Sequence, residues 1–352
     1  MLTCHPDSYR LQSTAFDMSD SNPGGKINGF FNINKPVGLT SFQVISELRR
    51  ILGIRKLGHS GVLDKPATGV LPIGVNRATK LFSYFADFRK VYLTTLLLGF
   101  ATTTDDIIGE IVSAGEKGSA AEKEVQLALK QFIGEISQRP PRFSTTKVDG
   151  KEFYRMALAG EEVPHKLKRV TVEDIEFVSY VDGPAADELL ESRPDLSSEP
   201  ISLPPLTLLT VRISCRGGFY VRSLARDLGE LLKTQGCVFS LVREQVGPFR
   251  VEDAHTLEAM EDMAAKGQEQ DALQPMSIIA EPERTVALDA PSVAQLARGM
   301  PVVVKAHFLE GGIHKRGTRL FATGPDGELA AIVEVAQPVG DNLPLHPRKV
   351  LL

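Results

Sequence analysis

Cysteine is scarce: Cys4, Cys215 and Cys237 are the only three in 352 residues. They make no CxxC pair and no even framework, which excludes a disulfide scaffold and a thiolate zinc site and leaves a reducing compartment, the cytoplasm, as the expected setting. The seven histidines never fall as HxxxH, so a histidine-based metal centre lacks its usual spacing. Neither GxxxxGK[ST] nor GxGxxG occurs, which removes the phosphate-cradling loops of P-loop ATP hydrolysis and dinucleotide redox chemistry. Long apolar runs are missing too. The best candidate, residues 91–101, falls short of the ~18 residues a membrane span needs. The first 27 residues lack the basic start and apolar stretch of a secretory signal and read as a disordered extension, with Met18 as an alternative start.

A hydrophobic share of 42% with 24% charged residues is ordinary globular composition, and the length suggests about two domains. The net charge of −4 conceals a segregation of sign. Residues 28–100 carry ten Lys/Arg against three acids, a net of +7, whereas 173–199 and 252–283 are each at −8. Phosphate binding depends on local field rather than total charge, so this basic segment reads either as a polyanion-binding face or as a solvated surface.

Along the chain, Gly29 to Asn34 reads as a strand and Pro36-Val37-Gly38 as a turn. Thr40 and Gln43 then form a capping box for a helix ending at Gly53. An irregular glycine-rich loop is expected over 58–69, strands over 70–75 and 91–99, a helix over 78–85 and an amphipathic helix over 122–133. A strand over 206–215, a Gly217-Gly218 turn and a helix from Val221 follow. The acidic, proline-rich stretch 182–205 reads as a surface insertion and 261–283 as a linker. Beyond it, short β segments at 302–304, 319–322, 329–335 and 350–352 suggest a small barrel over 284–352. The fold class is therefore α/β.

Asp64 is the only carboxylate between Glu47 and Asp87, in a glycine-rich loop within the most basic part of the chain. Neighbouring cations such as Lys65 favour its ionised form, which suits a nucleophile or an electrostatic stabiliser better than an acid. From the loop alone, an ordinary Asx-turn aspartate is the simpler reading.

The segment Gly58-His59-Ser-Gly-Val-Leu-Asp64-Lys-Pro-Ala-Thr-Gly69 resembles the GHxGxLDxxAxG motif of the TruB-type tRNA pseudouridine synthases. Lys35-Pro36-x-Gly38-x-Thr40-Ser41 resembles that family's KPxGxTS element and Lys90-Val-Tyr92 its KxY element. Gly218-Phe-Tyr220-Val-Arg222-Ser-Leu-Ala-Arg-Asp227-Leu-Gly229 resembles its GxYIRxLxxDLG element. Segments around Phe143 to Lys151, with Lys147, and Leu241 to Phe249 are similar as well, so the likeness covers about 28–260. The resemblance implies a mixed, largely antiparallel synthase sheet over 28–260 and a small PUA-like RNA-binding barrel over 284–352, with Lys315-Arg316 as phosphate contacts. It implies isomerisation of uridine to pseudouridine in the tRNA T-stem-loop, at position 55, without cofactor or metal. The bacterial-type pattern adds a single protein, read as a monomer, that needs no guide RNA.

By the same resemblance Asp64 is the catalytic aspartate, Arg222 its ion-pair partner and Tyr92 the residue that stacks on the target uracil. His59, Tyr220 and Leu241 match substrate-contacting positions, and Lys35 and Lys147 are expected on the RNA. Without the motifs, Tyr92 and Leu241 read as core residues, His59 as a loop histidine, Arg222 as a surface arginine at a helix start and Lys35 as a capping group. The sequence departs from the family at Leu158, where an arginine is usual, and at Thr145-Thr146. Two other functions compete: a non-catalytic RNA-binding protein, which would not require the Asp64 and Arg222 pair, and an aspartate-dependent hydrolase. The hydrolase would want a second carboxylate or a metal, and the sequence places neither near Asp64.

Overall fold

A computed structural model describes residues 27–164, 166–183, 205–305 and 315–352. The expectations for residues 1–27 and for the insertion 182–205 fall almost wholly outside that set. In β1 (Gly29–Lys35) every side chain but one is buried, and the chain then reverses through Gly38 at φ 86°. α1 (Ser41–Leu52) follows. The Thr40 hydroxyl accepts from the Gln43 backbone N–H while the Gln43 side chain accepts from the Thr40 backbone N–H, and Gly53 closes the helix in the left-handed region.

β2 (Leu57–His59) and β3 (Thr68–Val75) bracket the glycine-rich loop, so only its middle is irregular. The helix expected over 78–85 is instead a 3₁₀ helix over Asn76–Tyr84. Its buried residues, Ala78 and Leu81, stand three apart, which suits three residues per turn. β4 (Lys90–Leu98), the hairpin of β5 (Phe100–Thr102) and β6 (Ile111–Ala114), and α2 (Glu122–Leu129) come next. β7 (Gly134–Gln138), the small hairpin β8 (Lys147–Val148) and β9 (Lys151–Glu152), α3 (Phe153–Leu158) and β10 (Lys168–Asp182) lead to the second half of the motif set. There β11 (Thr207–Cys215), α4 (Val221–Leu232), β12 (Gly236–Val246) and β13 (Phe249–Arg250) repeat the strand, glycine turn and helix pattern.

The stretch read as a linker is folded into this body. α5 (Leu257–Ala265) buries Leu257 and Met260 against α1, and β14 (Leu273–Gln274) pairs with β1 at the sheet edge. Within the stretch itself Met263, Ala272 and Leu273 pack on the α1 side and Met276 and Ile279 join the aromatic cluster, while exposed Glu261, Asp262 and Asp271 supply the acidic composition.

The ten-stranded sheet runs β14-β1-β3-β12-β4-β11-β10-β7, with β2 on β3 and β13 on β12. Its pairings are antiparallel except β12 with β3, where Val242 lies opposite Thr68 and Arg243 opposite Gly69. α4 and α2 cover one face through Leu224, Leu228 and Val125, while α1 and α5 cover the β1–β3 end. The C-terminal part holds β15 (Thr285–Ala287), α6 (Ala290–Ala297), β16 (Val302–Lys305), β17 (Arg319–Thr323), β18 (Leu329–Val335) and β19 (Asn342–Val350). These strands form one curled sheet in the order β15-β17-β18-β19-β16, a half-barrel among the described residues. The last strand begins at Asn342, not Val350.

The two parts share a core. Phe30, Phe85 and Phe249 meet Phe321, Ile332 and Leu351 in one apolar cluster. Around it Arg77 and Lys80 donate to the carbonyls of Leu351 and Val350 at 3.2 and 3.1 Å, and Lys349 donates to the Lys80 carbonyl at 2.6 Å. Phe321→Ala should therefore cost about 3–5 kcal/mol as a buried ring is removed. Differential scanning calorimetry should show a C-terminal transition separating from the main one, and a single unshifted transition would contradict the shared core.

Candidate active site

The Asp64 loop has little hydrogen bonding of its own beyond Ala67 N–H to the Asp64 carbonyl at 3.1 Å. It is held by β1 and α1. Gly38 N–H donates to the Lys65 carbonyl at 2.9 Å, and the Ser41 hydroxyl accepts from Leu63 N–H at 2.9 Å. Lys35, wholly buried at the end of β1, donates from Nζ to the carbonyls of Pro36, Lys65 and Ala67 at 2.8, 3.3 and 2.7 Å. Those bonds occupy its three protons, so the structure places Lys35 beneath the loop as its clamp and not on an RNA surface. Burial lowers its pKa to about 8, partly offset by Asp64.

Arg222, the second residue of α4, is also buried, contrary to the plain reading of a surface arginine. Its Nη1 donates to the Thr104 carbonyl at 3.0 Å and its Nη2 to the Phe143 carbonyl at 2.9 Å. Nη2 also donates to Asp64 Oδ1 at 2.8 Å, where the carboxylate is one-third exposed and the guanidinium nearly dry. Two carbonyls from separate loops thus aim a fixed guanidinium at a partly accessible carboxylate, a geometry that orients the carboxylate.

Tyr92 and Leu241 are buried beside Leu63 and Ala67 as an apolar wall at the loop. Burial pushes the Tyr92 hydroxyl up to about 12. Leu241, Ala67, Asp64 and Arg222 line one crevice. His59 ends β2, where burial, and after it the Arg243 charge, lower its pKa. Tyr220 meets the Thr146 hydroxyl at 3.1 Å, and its backbone N–H donates to Gln138 at 3.0 Å. Lys147 is exposed and pairs with Glu152 at 3.4 Å, outside the crevice.

Three features escaped the sequence. Asp106 lines the same crevice, so a second carboxylate does stand near Asp64. Burial raises its pKa, and its Oδ1 is engaged by the Thr104 hydroxyl at 2.6 Å and Ile108 N–H at 3.2 Å, which fixes the carbonyl that Arg222 uses. Arg243, quoted only as part of a motif, is buried and donates from Nε to the Val70 carbonyl at 2.8 Å. The +7 count also overstated the basic face. Lys35, Arg49, Arg77, Lys80 and Lys90 donate to main-chain carbonyls, and Arg50 and Arg89 pair with acids. Arg55, Lys56 and Lys65 remain exposed.

Known proteins resemble this chain in sequence and in fold. Residues 49–221 match the family profile described as TruB family pseudouridylate synthase, N-terminal domain, and 222–283 match the tRNA pseudouridylate synthase B C-terminal domain. The tRNA pseudouridine synthase B of Thermobifida fusca is 36% identical over 310 residues, covering 87% of this chain and 94% of that protein. The chain belongs to the TruB family. A second member, from Ruegeria pomeroyi, is 38% identical over 259 residues, 74% of this chain and 78% of that protein. Family membership also fits the fold, which matches a crystal structure of a Cbf5-Nop10-Gar1 complex with a TM-score of 0.66 at 24% identity, over 92% of this chain and 85% of that one.

The buried lysine gives a pH test. Its folded pKa of about 8 lies below the ordinary 10.5, so between those values the unfolded chain binds the extra proton and stability from this group rises with pH. Relative to Lys35→Met, the wild type should gain stability in urea melts from pH 7.5 to 9.5. A constant or falling difference would contradict the assigned burial.

Proposed function

We propose that this chain converts uridine to pseudouridine in tRNA, at position 55 of the T-loop, with Asp64 as the catalytic carboxylate. The observation that carries this reading is the 2.8 Å contact from Arg222 to Asp64 in a crevice lined by Leu241 and Ala67, with Tyr92 buried in the same apolar cluster as those two. The reaction breaks the bond from uracil N1 to the ribose C1′, joins C1′ to C5, and moves a proton from C5 while N1 gains one. No net oxidation occurs, so no redox cofactor is required. Asp64 is placed to form the transient bond that holds one fragment while the base turns, by attack at C1′ or at uracil C6. An everted uracil costs a few kcal/mol to unstack, and stacking on Tyr92 at about 1–3 kcal/mol offsets part of it.

His59, Tyr220 and Leu241 are read as substrate contacts. Exposed Lys65 and Lys147 are the phosphate contacts in place of Lys35, joined by Arg142, which is exposed beside Phe143. Residues 28–260 supply the chemistry, and 284–352 act as a PUA-like RNA-binding unit through exposed Lys315 and Arg316. The bacterial-type motif set supports a monomer acting in the cytoplasm without a guide RNA. A binding-only protein has no need of a carboxylate oriented by a buried guanidinium. The committed Oδ1 of Asp106 argues against a hydrolytic carboxylate pair.

Wild-type protein should release label from tRNA carrying tritium at uridine C5, because that carbon loses its hydrogen. Asp64→Asn should bind tRNA normally and release none, and Arg222→Met should slow release about 100-fold. Release by the Asn variant would overturn the assignment. The double change Lys315→Glu with Arg316→Glu should weaken tRNA binding several-fold in filter retention and leave the saturated rate unchanged.

A further inference from the structure

We propose that Arg243 is a positioning residue that holds the Tyr92 hydroxyl and the end of the Asp64 loop in fixed relation, so that its loss falls on turnover and not on RNA affinity. This inference rests on Asp64 being the catalytic carboxylate. Arg243 is paired through its main chain on both sides. Across one edge it lies opposite Tyr92 of β4, and across the other opposite Gly69, where the loop enters β3. The second approach is close: Gly69 has φ +100°, and a Cβ there would stand 2.3 Å from the Arg243 carbonyl oxygen.

The side chain bridges the same two elements. It is 2% exposed, its Nε donates to the Val70 carbonyl at 2.8 Å, and its Nη1 reaches within 3.9 Å of the Cβ position of Gly61 at the start of the loop. The guanidinium lies against the Tyr92 hydroxyl, and Asp64 is the carboxylate whose charge it feels. His59, Lys35 and Lys90 in turn feel its own charge. Its Nη2 is buried without a hydrogen-bond partner among the described residues.

A guanidinium kept out of water beside a carboxylate that Arg222 already occupies is costly for stability. Among the described residues it completes no salt bridge of its own, and it is buried. Its place between the tyrosine and the loop accounts for it, since both must meet one nucleotide within a few tenths of an ångström for the reaction to proceed.

The test is a double-mutant cycle of Arg243→Gln and Tyr92→Phe. It is read by single-turnover tritium release at saturating tRNA, by filter-retention Kd and by thermal melting. Each single variant should slow release by about 10-fold or more with Kd within about 3-fold of wild type, and the double variant should lie within about 2-fold of the slower single. Losses that multiply, a loss confined to Kd, or a Tyr92→Phe rate equal to wild type would overturn the assignment. If Arg243→Gln melts below the assay temperature, Arg243→Lys takes its place in the same cycle under the same criteria. Activity of Asp64→Asn would sink the underlying reading and this inference together. An inactive Asp64→Asn with an additive cycle would sink only the role of Arg243.

Discussion

The Arg222 guanidinium is a charge held almost out of water, and it stays there because acceptors from three separate segments share its protons: the Asp64 carboxylate and the carbonyls of Thr104 and Phe143. Remove any one segment and an unsatisfied buried cation remains, which is far more costly than the bond itself. The Asp64 loop, the 104–108 turn and the 139–146 segment are therefore tied to the start of α4 by a single side chain. Lys35 does the corresponding work from below with three more carbonyls. Asp64 is the partly exposed end of a polar assembly held from two sides, not a residue on a free loop.

Local signals carried well from sequence to structure. The Thr40 and Gln43 box, the Gly53 stop and the strand, glycine turn and helix from Thr207 to Leu232 depend on residues within a few positions of one another, and they form as read. Asp64, Arg222 and Leu241 line one crevice although they lie far apart in the chain. What failed was any inference from counting. Net charge over 28–100 treats Lys35 and Lys90 as surface cations, yet both are turned inward onto carbonyls, and no linear tally records which way a side chain faces. Asp106 was invisible for a related reason, because only the folded sheet brings it to the crevice of a residue far behind it in the chain.

Reading 261–283 as a linker erred in the opposite direction. Two of its six acids, Glu261 and Asp262, lie exposed on α5, while Met263 and Ala272 join the core on the α1 side and Leu273-Gln274 extends the sheet. With Phe321, Ile332 and Leu351 completing the aromatic cluster under β1, the C-terminal half-barrel is docked and not tethered. Any RNA bridging the two parts meets a surface of nearly fixed shape, which lowers the ordering cost of association.

The parallel seam between β3 and β12 bears on how such a molecule comes into being. Strands from opposite halves of the polypeptide must find each other across that seam, and closing so wide a circuit is slow because its entropy is spent before any contact compensates. Translation delivers the aspartate early and its guanidinium mate late. A chain halted on the ribosome midway thus carries Asp64 without Arg222, and the contact between them forms only after the second half has been made.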